Sequence, residues 1–370
     1  MEITKNDKVV FIMGAGASAD KADDIPVQDK FLEQIINHQF KGCRWDFKEY
    51  SKNAKEIADK LFQTSAHSNL PSMETIFNIL ETAIKKESGL GDISLEQVTK
   101  YHKYLLAAVA VITRATNHSN VYDIMTKNPS SPYTLLGKKI YNYYSEIENQ
   151  NPPSFITFNY DVCLDRVIIS MIPDEGEPIY MDLGIHLGSY DVDVNSKFYF
   201  DKPDFNKKKI FLLRPHGSLN WLFCRSCGKI FTKKKSQIGK NEIEGKTKCE
   251  LCEKGILVPY IIHPSYEHNY ERAYIDQIWV NVEDVLQKSN KWCFIGYSLP
   301  EADRYFQYVL MRSYMVRKAK NQITDISVVG LDDDRYAQLI KRYGCFFKIS
   351  NGNYYKDGFK HFAEKNLHFN

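Results

Sequence analysis

Residues 9–18, VVFIMGAGAS, decide the fold. Val9–Met13 is an unbroken apolar run, the pattern of a parallel strand covered on both faces. Gly14 and Gly16 come directly after it, so the chain can turn tightly and bare backbone can approach a ligand. Ser18 stands where a helix would begin, and a helix N-terminus with free N–H groups accepts an anion. Strand, Gly-x-Gly and helix start together suit the diphosphate of a nucleotide. Ala19 occupies the place of a third glycine, and the region around Asn37 and His38 reads as helix, not as a second strand ending in an acidic residue. Both departures argue against an ordinary dinucleotide dehydrogenase. A glycine turn with no ligand is the plain alternative.

Length and composition narrow the class. A chain of 370 residues, 43% hydrophobic and 26% charged, has the make-up of a globular protein with a sizeable core. A formal net charge of +3 gives no electrostatic case for nucleic acid or for a membrane surface. No apolar run reaches the ~20 residues that span a bilayer, and the opening MEITKNDKVV has no signal-peptide core. The expectation is a cytoplasmic protein with no membrane contact and no direct nucleic-acid binding.

Four of the eight cysteines form two pairs, Cys224-x2-Cys227 and Cys249-x2-Cys252, separated by the 21 residues 228–248. Paired knuckles of this kind place four thiolates for tetrahedral zinc, and a site with four protein ligands is structural. The stretch TKKKSQIGKNEIEGKTK between them is charged and lacks apolar periodicity, so it reads as a solvated excursion. Cys43, Cys163, Cys293 and Cys345 are scattered, three of them in apolar surroundings, as small core residues are.

Along the chain, residues 28–40 have helical spacing, and helical patterns run on to about Tyr144, including Met73–Lys86 and Leu95–Thr113. Asn151-Pro152-Pro153 ends this stretch. Ser154–Phe158 reads as strand and Asp161–Met171 as helix; 174–208 reads as loops with a short hairpin. Ile210–Leu213, Ile256–Ile262, Trp292–Tyr297 and Asp325–Leu331 read as strands, with Cys345–Ile349 as a final edge strand. Ala273–Lys288, Glu301–Lys318 and Asp333–Arg342 read as helices. Strand–helix alternation predicts an α/β fold, a doubly wound, parallel, Rossmann-like sheet with an inserted helical module and a small zinc-knuckle module. The expected division is a core of 1–30, 151–220 and 259–350, a helical insert at 31–150, a zinc module at 221–258 and a C-terminal tail at 351–370.

Ligands of such sheets bind at the carboxyl ends of the strands. Those ends carry Asn159-Tyr160-Asp161, Pro215-His216-Gly217-Ser218, Gly296-Tyr297-Ser298 and Gly330-Leu331-Asp332. Each has a plainer alternative. Asn159 and Asp161, or Asp332, would serve as helix caps, and Ser298-Leu299-Pro300-Glu301 reads as a cap with proline near the first helical position. A solitary His is often structural, whereas His216 at a strand end beside Gly217 faces the crevice.

These segments, in this order, resemble the sirtuins, and more closely the divergent bacterial sirtuin-like domains of anti-phage systems. The resemblance is carried by Gly14–Ser18 with Ile25-Pro26, Phe158-Asn159-Tyr160-Asp161, His216-Gly217-Ser218-Leu219-Asn220-Trp221, the zinc knuckles and Ile295–Glu301. It implies NAD as substrate at the sheet edge. Gly14, Ala15, Gly16, Ala17 and Ser18 would cradle the pyrophosphate, with Gly296 and Ser298 at phosphate or ribose and Asp332 near the adenosine half. Asn159 and Asp161 would hold the nicotinamide ribose and carboxamide, and His216 would be the base. The Arg that deacylating sirtuins carry after Ile-Pro is replaced by Val27-Gln28-Asp29-Lys30-Phe31, and their peptide-pairing strand by Tyr260–Ser265. The branch resembled most closely hydrolyses NAD, with a protein deacylase and a non-catalytic NAD or ADP-ribose sensor as the alternatives. The amphipathic stripe at Ile76, Leu80, Ala83 and Ile84 would pack either within the chain or between copies of it, and the expectation is a homo-oligomer built partly through this module. The resemblance adds a HerA-type ATPase as the expected partner.

Overall fold

The computed structural model describes residues 1–19, 31–37, 48–62, 70–116, 129–146, 152–171, 179–185, 188–189, 208–233, 238–262, 274–331 and 336–370. Thirteen strands, β1–β13, occur among them, in two main sheets and one pair. The apolar run at Val9–Met13 is β2, the fully buried centre of a seven-stranded sheet. Its neighbours are β3 (Ser154–Thr157) on one side and β10 (Lys291–Ile295) on the other. Beyond β3 lie β6 (Lys208–Leu213) and β4 (Ile179–Asp182); beyond β10 lie β11 (Asp325–Val329) and β12 (Tyr354–Tyr355). Every pairing in this sheet is parallel. The chain runs outward from β2 through β3, then returns to β10 and runs out the other way. β2 therefore marks the topological switch point, where a crevice opens at the carboxyl ends of such sheets.

Helix Ile275–Lys288 lies against β6 and against helix Arg304–Ala319, and on β10 Trp292 and Phe294 pack on Tyr314, Tyr343 and Phe347. Helix Pro132–Glu146 belongs to this layered core too. Its Tyr133, Leu136, Ile140 and Tyr144 are buried with the sheet residues, so the inserted module ends before it and not at residue 150. Like the preceding helices, Pro132–Glu146 buries an apolar face, but against the parallel sheet.

The second sheet is β5 (Gly188–Ser189), β8 (Ile230–Thr232), β7 (Gly217–Cys224) and β9 (Leu257–Ile261). β7 pairs antiparallel with both β8 and β9. The strand expected over Ile256–Ile262 thus builds the zinc module, not the parallel sheet. Helices Phe31–Ile36, Lys48–Phe62, Met73–Lys85 and the first part of Leu95–Thr116 share one apolar core with β7, β8 and β9. Helical insert and zinc module form one lobe. Ile238 and Ile243 from the supposed solvated excursion are buried in it, and Lys233 pairs with the buried Glu242 at 2.9 Å. Two apolar residues, too few for a period, anchor that stretch.

Three further expectations change. Ile179–Asp182 joins the main sheet at its edge, not a hairpin. Cys345 is exposed, within helix Tyr336–Phe346, and the edge strand is β12 instead. Residues 351–370 supply β12 and also β13 (His368–Phe369), which pairs in parallel with β1 (Glu2–Ile3). Among the described residues no helix is long and apolar enough to cross a membrane.

Ser72 caps helix Met73–Lys85 by accepting from the Thr75 N–H. That helix buries Ile76, Leu80 and Ala83 completely within the chain, with Ile84 packed beside them. The stripe expected to join copies of the chain is internal core. Leu80→Ala is expected to lower stability by about 2–5 kcal/mol through the cavity it leaves. Val280→Ala, at a side chain 66% exposed, should change it by less than about 0.5 kcal/mol. Urea unfolding followed by circular dichroism measures both.

Candidate active site and metal centre

The site forms where β2, β3, β6 and β10 end. Gly14 and Gly16 do not stand open. Their amides donate to the carbonyls of Ile295 (3.1 Å) and Gly296 (2.9 Å). A Cβ on Gly14 would lie 2.7 Å from Tyr297 Cα, and one on Gly296, at φ +59°, would lie 2.0 Å from the Ala17 nitrogen. Glycine is required on both sides because two loop backbones meet there without side chains between them. The sequence reading expected this bare backbone to approach a ligand; in the structure it approaches the β10 loop.

Ser18 links this turn to β3. Its hydroxyl donates to Asp161 Oδ2 at 2.8 Å, which spends its one hydrogen. It therefore accepts from Tyr133 OH at 2.7 Å and from Asn159 Nδ2 at 3.0 Å. That network fixes the Asn159 amide with its nitrogen toward Ser18. Asp161 Oδ1 accepts the Cys163 N–H at 2.9 Å, so Asp161 caps helix Cys163–Met171 while also reaching the cluster. Asn159 does not cap. Its carbonyl is held at 2.8 Å by Arg214, a fully buried guanidinium paired with the Asp165 carboxylate. The pair is an internal clamp between the ends of β6 and β3.

His216 follows Arg214 in a turn closed by Gly217 N–H donating to Arg214 O at 3.0 Å. Gly217 has φ +72°, and a Cβ there would strike Tyr260 O at 2.2 Å. The ring of His216 rests edge-on against Phe158 (centroids 4.9 Å apart), and its Nε2 lies 3.4 Å from Asp303 Oδ1. Asp303 Oδ2 accepts from Tyr297 OH at 2.5 Å. Burial, with the Asp303 carboxylate beside it, pushes the Tyr297 phenol well above its usual range, so it remains protonated as the donor.

The sequence reading thus brings Ser18, Asn159, Asp161, His216 and Gly296 to one edge. It missed Tyr133 and Asp303. Tyr133 sits on a helix assigned to the insert, and Asp303 lies beyond the Ser298-Leu299-Pro300-Glu301 stretch read as a cap. Helix Arg304–Ala319 begins after Asp303 instead. Ser298 is exposed, its carbonyl accepting from Arg342 at 2.6 Å. Asp332, Cys43 and Ile25-Pro26 lie outside the described residues.

The four knuckle cysteines converge. Cys224 Sγ and Cys252 Sγ are 3.7 Å apart, Cys227 Sγ and Cys249 Sγ 3.9 Å, and all four lie within 4.8 Å of one another. Zn–S bonds of about 2.3 Å give a tetrahedron with edges of about 3.8 Å, whereas a disulfide would need about 2.05 Å. The set fits zinc. Gly255 backs it, since a Cβ there would lie 2.2 Å from Cys224 Sγ. Burial pushes the Cys249 thiol up to about 12, and the backbone N–H groups of Lys254 and Gly255 draw Cys252 down to about 7.

Metal analysis of the purified chain is expected to give one zinc per chain, and Cys249→Ser to lose the metal and unfold at lower temperature. Gly296→Ala should cost about 2 kcal/mol or more, through the positive φ and the contact with Ala17, read by thermal denaturation.

No family model matches the chain, and no curated protein matches it in sequence. Among solved structures it is similar to a Sir2 homolog–NAD complex, with TM-score 0.41 and 14% identity over 96% of this chain and 86% of that one. It is also similar to Sir2Tm bound to a propionylated peptide, with TM-score 0.42 and 14% identity over 97% of this chain and 91% of that one.

Proposed function

We propose that this chain is a sirtuin-like NAD glycohydrolase, cleaving NAD to nicotinamide and ADP-ribose as the effector of a bacterial anti-phage response that depletes NAD. The observation that carries the reading is the joining of Ser18, Asn159 and Asp161 at the carboxyl edge beside the switch point, with His216, which rests on Phe158 and faces Asp303, after the neighbouring strand β6. An amide, a carboxylate and an imidazole, all at least nine-tenths buried, suit a neutral leaving group and a weak nucleophile.

In this reading the turn from Gly14 through Ala15, Gly16 and Ala17 to Ser18 approaches the pyrophosphate. Gly296, Ser298 and Asp332 serve the phosphate, ribose and adenosine. Asn159 and Asp161 hold the nicotinamide end, and Asn159 places the water. The water oxygen bonds to C1′ of the ribose as the N-glycosidic bond breaks, and that bond's electron pair leaves with nicotinamide. His216 takes the proton the water loses. A positioned base of this kind typically contributes 10²–10⁴ in rate.

A protein deacylase is the second reading. Favouring it, β9 is an edge strand among the described residues, and a peptide could add there. Pro259 within β9 removes one backbone donor from that edge. A pure NAD or ADP-ribose sensor would have no need of a buried imidazole–carboxylate pair. We further propose a cytoplasmic homo-oligomer acting with a HerA-type ATPase; its contact surface must lie elsewhere than the buried Ile76–Leu80 stripe.

Incubating the purified chain with NAD alone should release nicotinamide without any peptide present. His216→Ala and Asn159→Ala are each expected to lower that rate at least ~100-fold with an unchanged circular dichroism spectrum. Turnover that appears only on adding an acetyl-lysine peptide would favour the deacylase.

A further inference from the structure

We propose that Asp303 is a positioning residue for His216, holding the imidazole by Nε2 so that the ring's lone pair sits on Nδ1. The inference rests on the proposed base role of His216, but its geometry stands apart from any substrate. Asp303 occupies the N-cap position of helix Arg304–Ala319, where an aspartate ordinarily accepts a backbone N–H of its own helix. Here its side chain makes no such bond. Both carboxylate oxygens are spent elsewhere, Oδ1 facing His216 Nε2 at 3.4 Å and Oδ2 accepting from Tyr297 OH at 2.5 Å.

The surroundings support a purpose beyond stability. Asp303 is 4% and His216 7% exposed, and an ion pair taken out of water returns little net stabilisation. The segment that delivers Asp303 is strained as well, since Leu299 holds φ +51° while fully buried. Phe158 bridges the assembly, edge-on to His216 and stacked on Tyr297 at 4.7 Å. Tyr343 OH donates to Tyr297 O at 2.8 Å and fixes the other end. Among the described charges, Arg214 is paired with Asp165, and Glu74, from helix Met73–Lys85, acts on Tyr297. A carboxylate on one imidazole nitrogen sets both the ring's orientation and its tautomer, as in hydrolase triads.

The arrangement makes an unusual demand on an Asp303→Asn variant. Tyr297 OH requires an acceptor, so the Asn oxygen turns to Tyr297 and its NH2 group faces His216. Nε2 must then accept, and the imidazole proton moves to Nδ1. Adding Tyr297→Phe removes that demand and lets the Asn oxygen turn back to His216.

Nitrogen NMR of protein labelled with 15N-histidine reads this directly, with the His216 signals identified by their loss in His216→Gln. The neutral ring should carry its proton on Nε2 in the native chain, on Nδ1 in Asp303→Asn, and again on Nε2 in the Asp303→Asn/Tyr297→Phe double variant. In parallel, Asp303→Asn should lower kcat for NAD cleavage about 10²–10⁴-fold with KM within about threefold, and the double variant should recover part of that loss. An Nε2 proton unchanged in Asp303→Asn, or near-native kcat in that variant, overturns the proposal. A native chain that leaves NAD intact would refute the proposed function, and the NMR series would still decide the tautomer.

Discussion

Everything at the sheet edge depends on one contact in which no side chain takes part, the seating of the Gly14–Ala17 backbone on Gly296. β2 and β10 are adjacent parallel strands, so their following loops must leave the sheet side by side. With a Cβ on either face the loops would be forced apart, since it would lie 2.7 Å from Tyr297 Cα on one side and 2.0 Å from the Ala17 nitrogen on the other. Because they touch, Ser18 arrives within hydrogen-bond reach of Asn159 and Asp161, and the β10 loop continues in register to Tyr297 and Asp303. Position here comes from backbone, and the polar groups inherit it.

The second determinant is desolvation. Arg214, Asp165, Asn159, Asp161, His216 and Asp303 are all buried, a density of polar groups that a core admits only when each is paired. The pairing is local and directional: Arg214 holds the Asn159 backbone, Ser18 the Asn159 side chain, and Asp303 faces the His216 ring. Such a network resists rearrangement, because moving one member strands the others without partners.

How much was legible follows from length and period. β2, β3, β10 and β11 are buried apolar runs, and the sequence displays them plainly. β12 and β13 are two residues each, below the length at which any period can be read. β7 was missed because it alternates between two cores and carries Asn220 among its apolar residues, so neither face looks continuous. In the site, Asn159 and His216 were visible because they follow closely on strand ends, and Ser18 because it follows the glycine turn, although it closes the short helix Ala15–Ser18 where the sequence suggested that one begins. Tyr133 and Asp303 were not, since a tyrosine in an amphipathic helix and an aspartate before one have ordinary local explanations. Only tertiary proximity distinguishes them. The cysteine spacing, by contrast, predicted a convergence that needs no tertiary argument.

β7 has a mechanical consequence. Trp221 packs with the parallel sheet, whereas Leu219 and Leu222 pack with the helical and zinc-binding lobe, the switch of faces being made by an irregularity between Gly217 and Leu222. One strand is therefore riveted into both halves. Swinging the lobes apart along it would draw a large side chain out of one interior, at a cost of about 1.5–3 kcal/mol for each residue exposed. The two halves are thus expected to breathe and to unfold as one cooperative unit, and amides of β7 should exchange with solvent as slowly as those of β2.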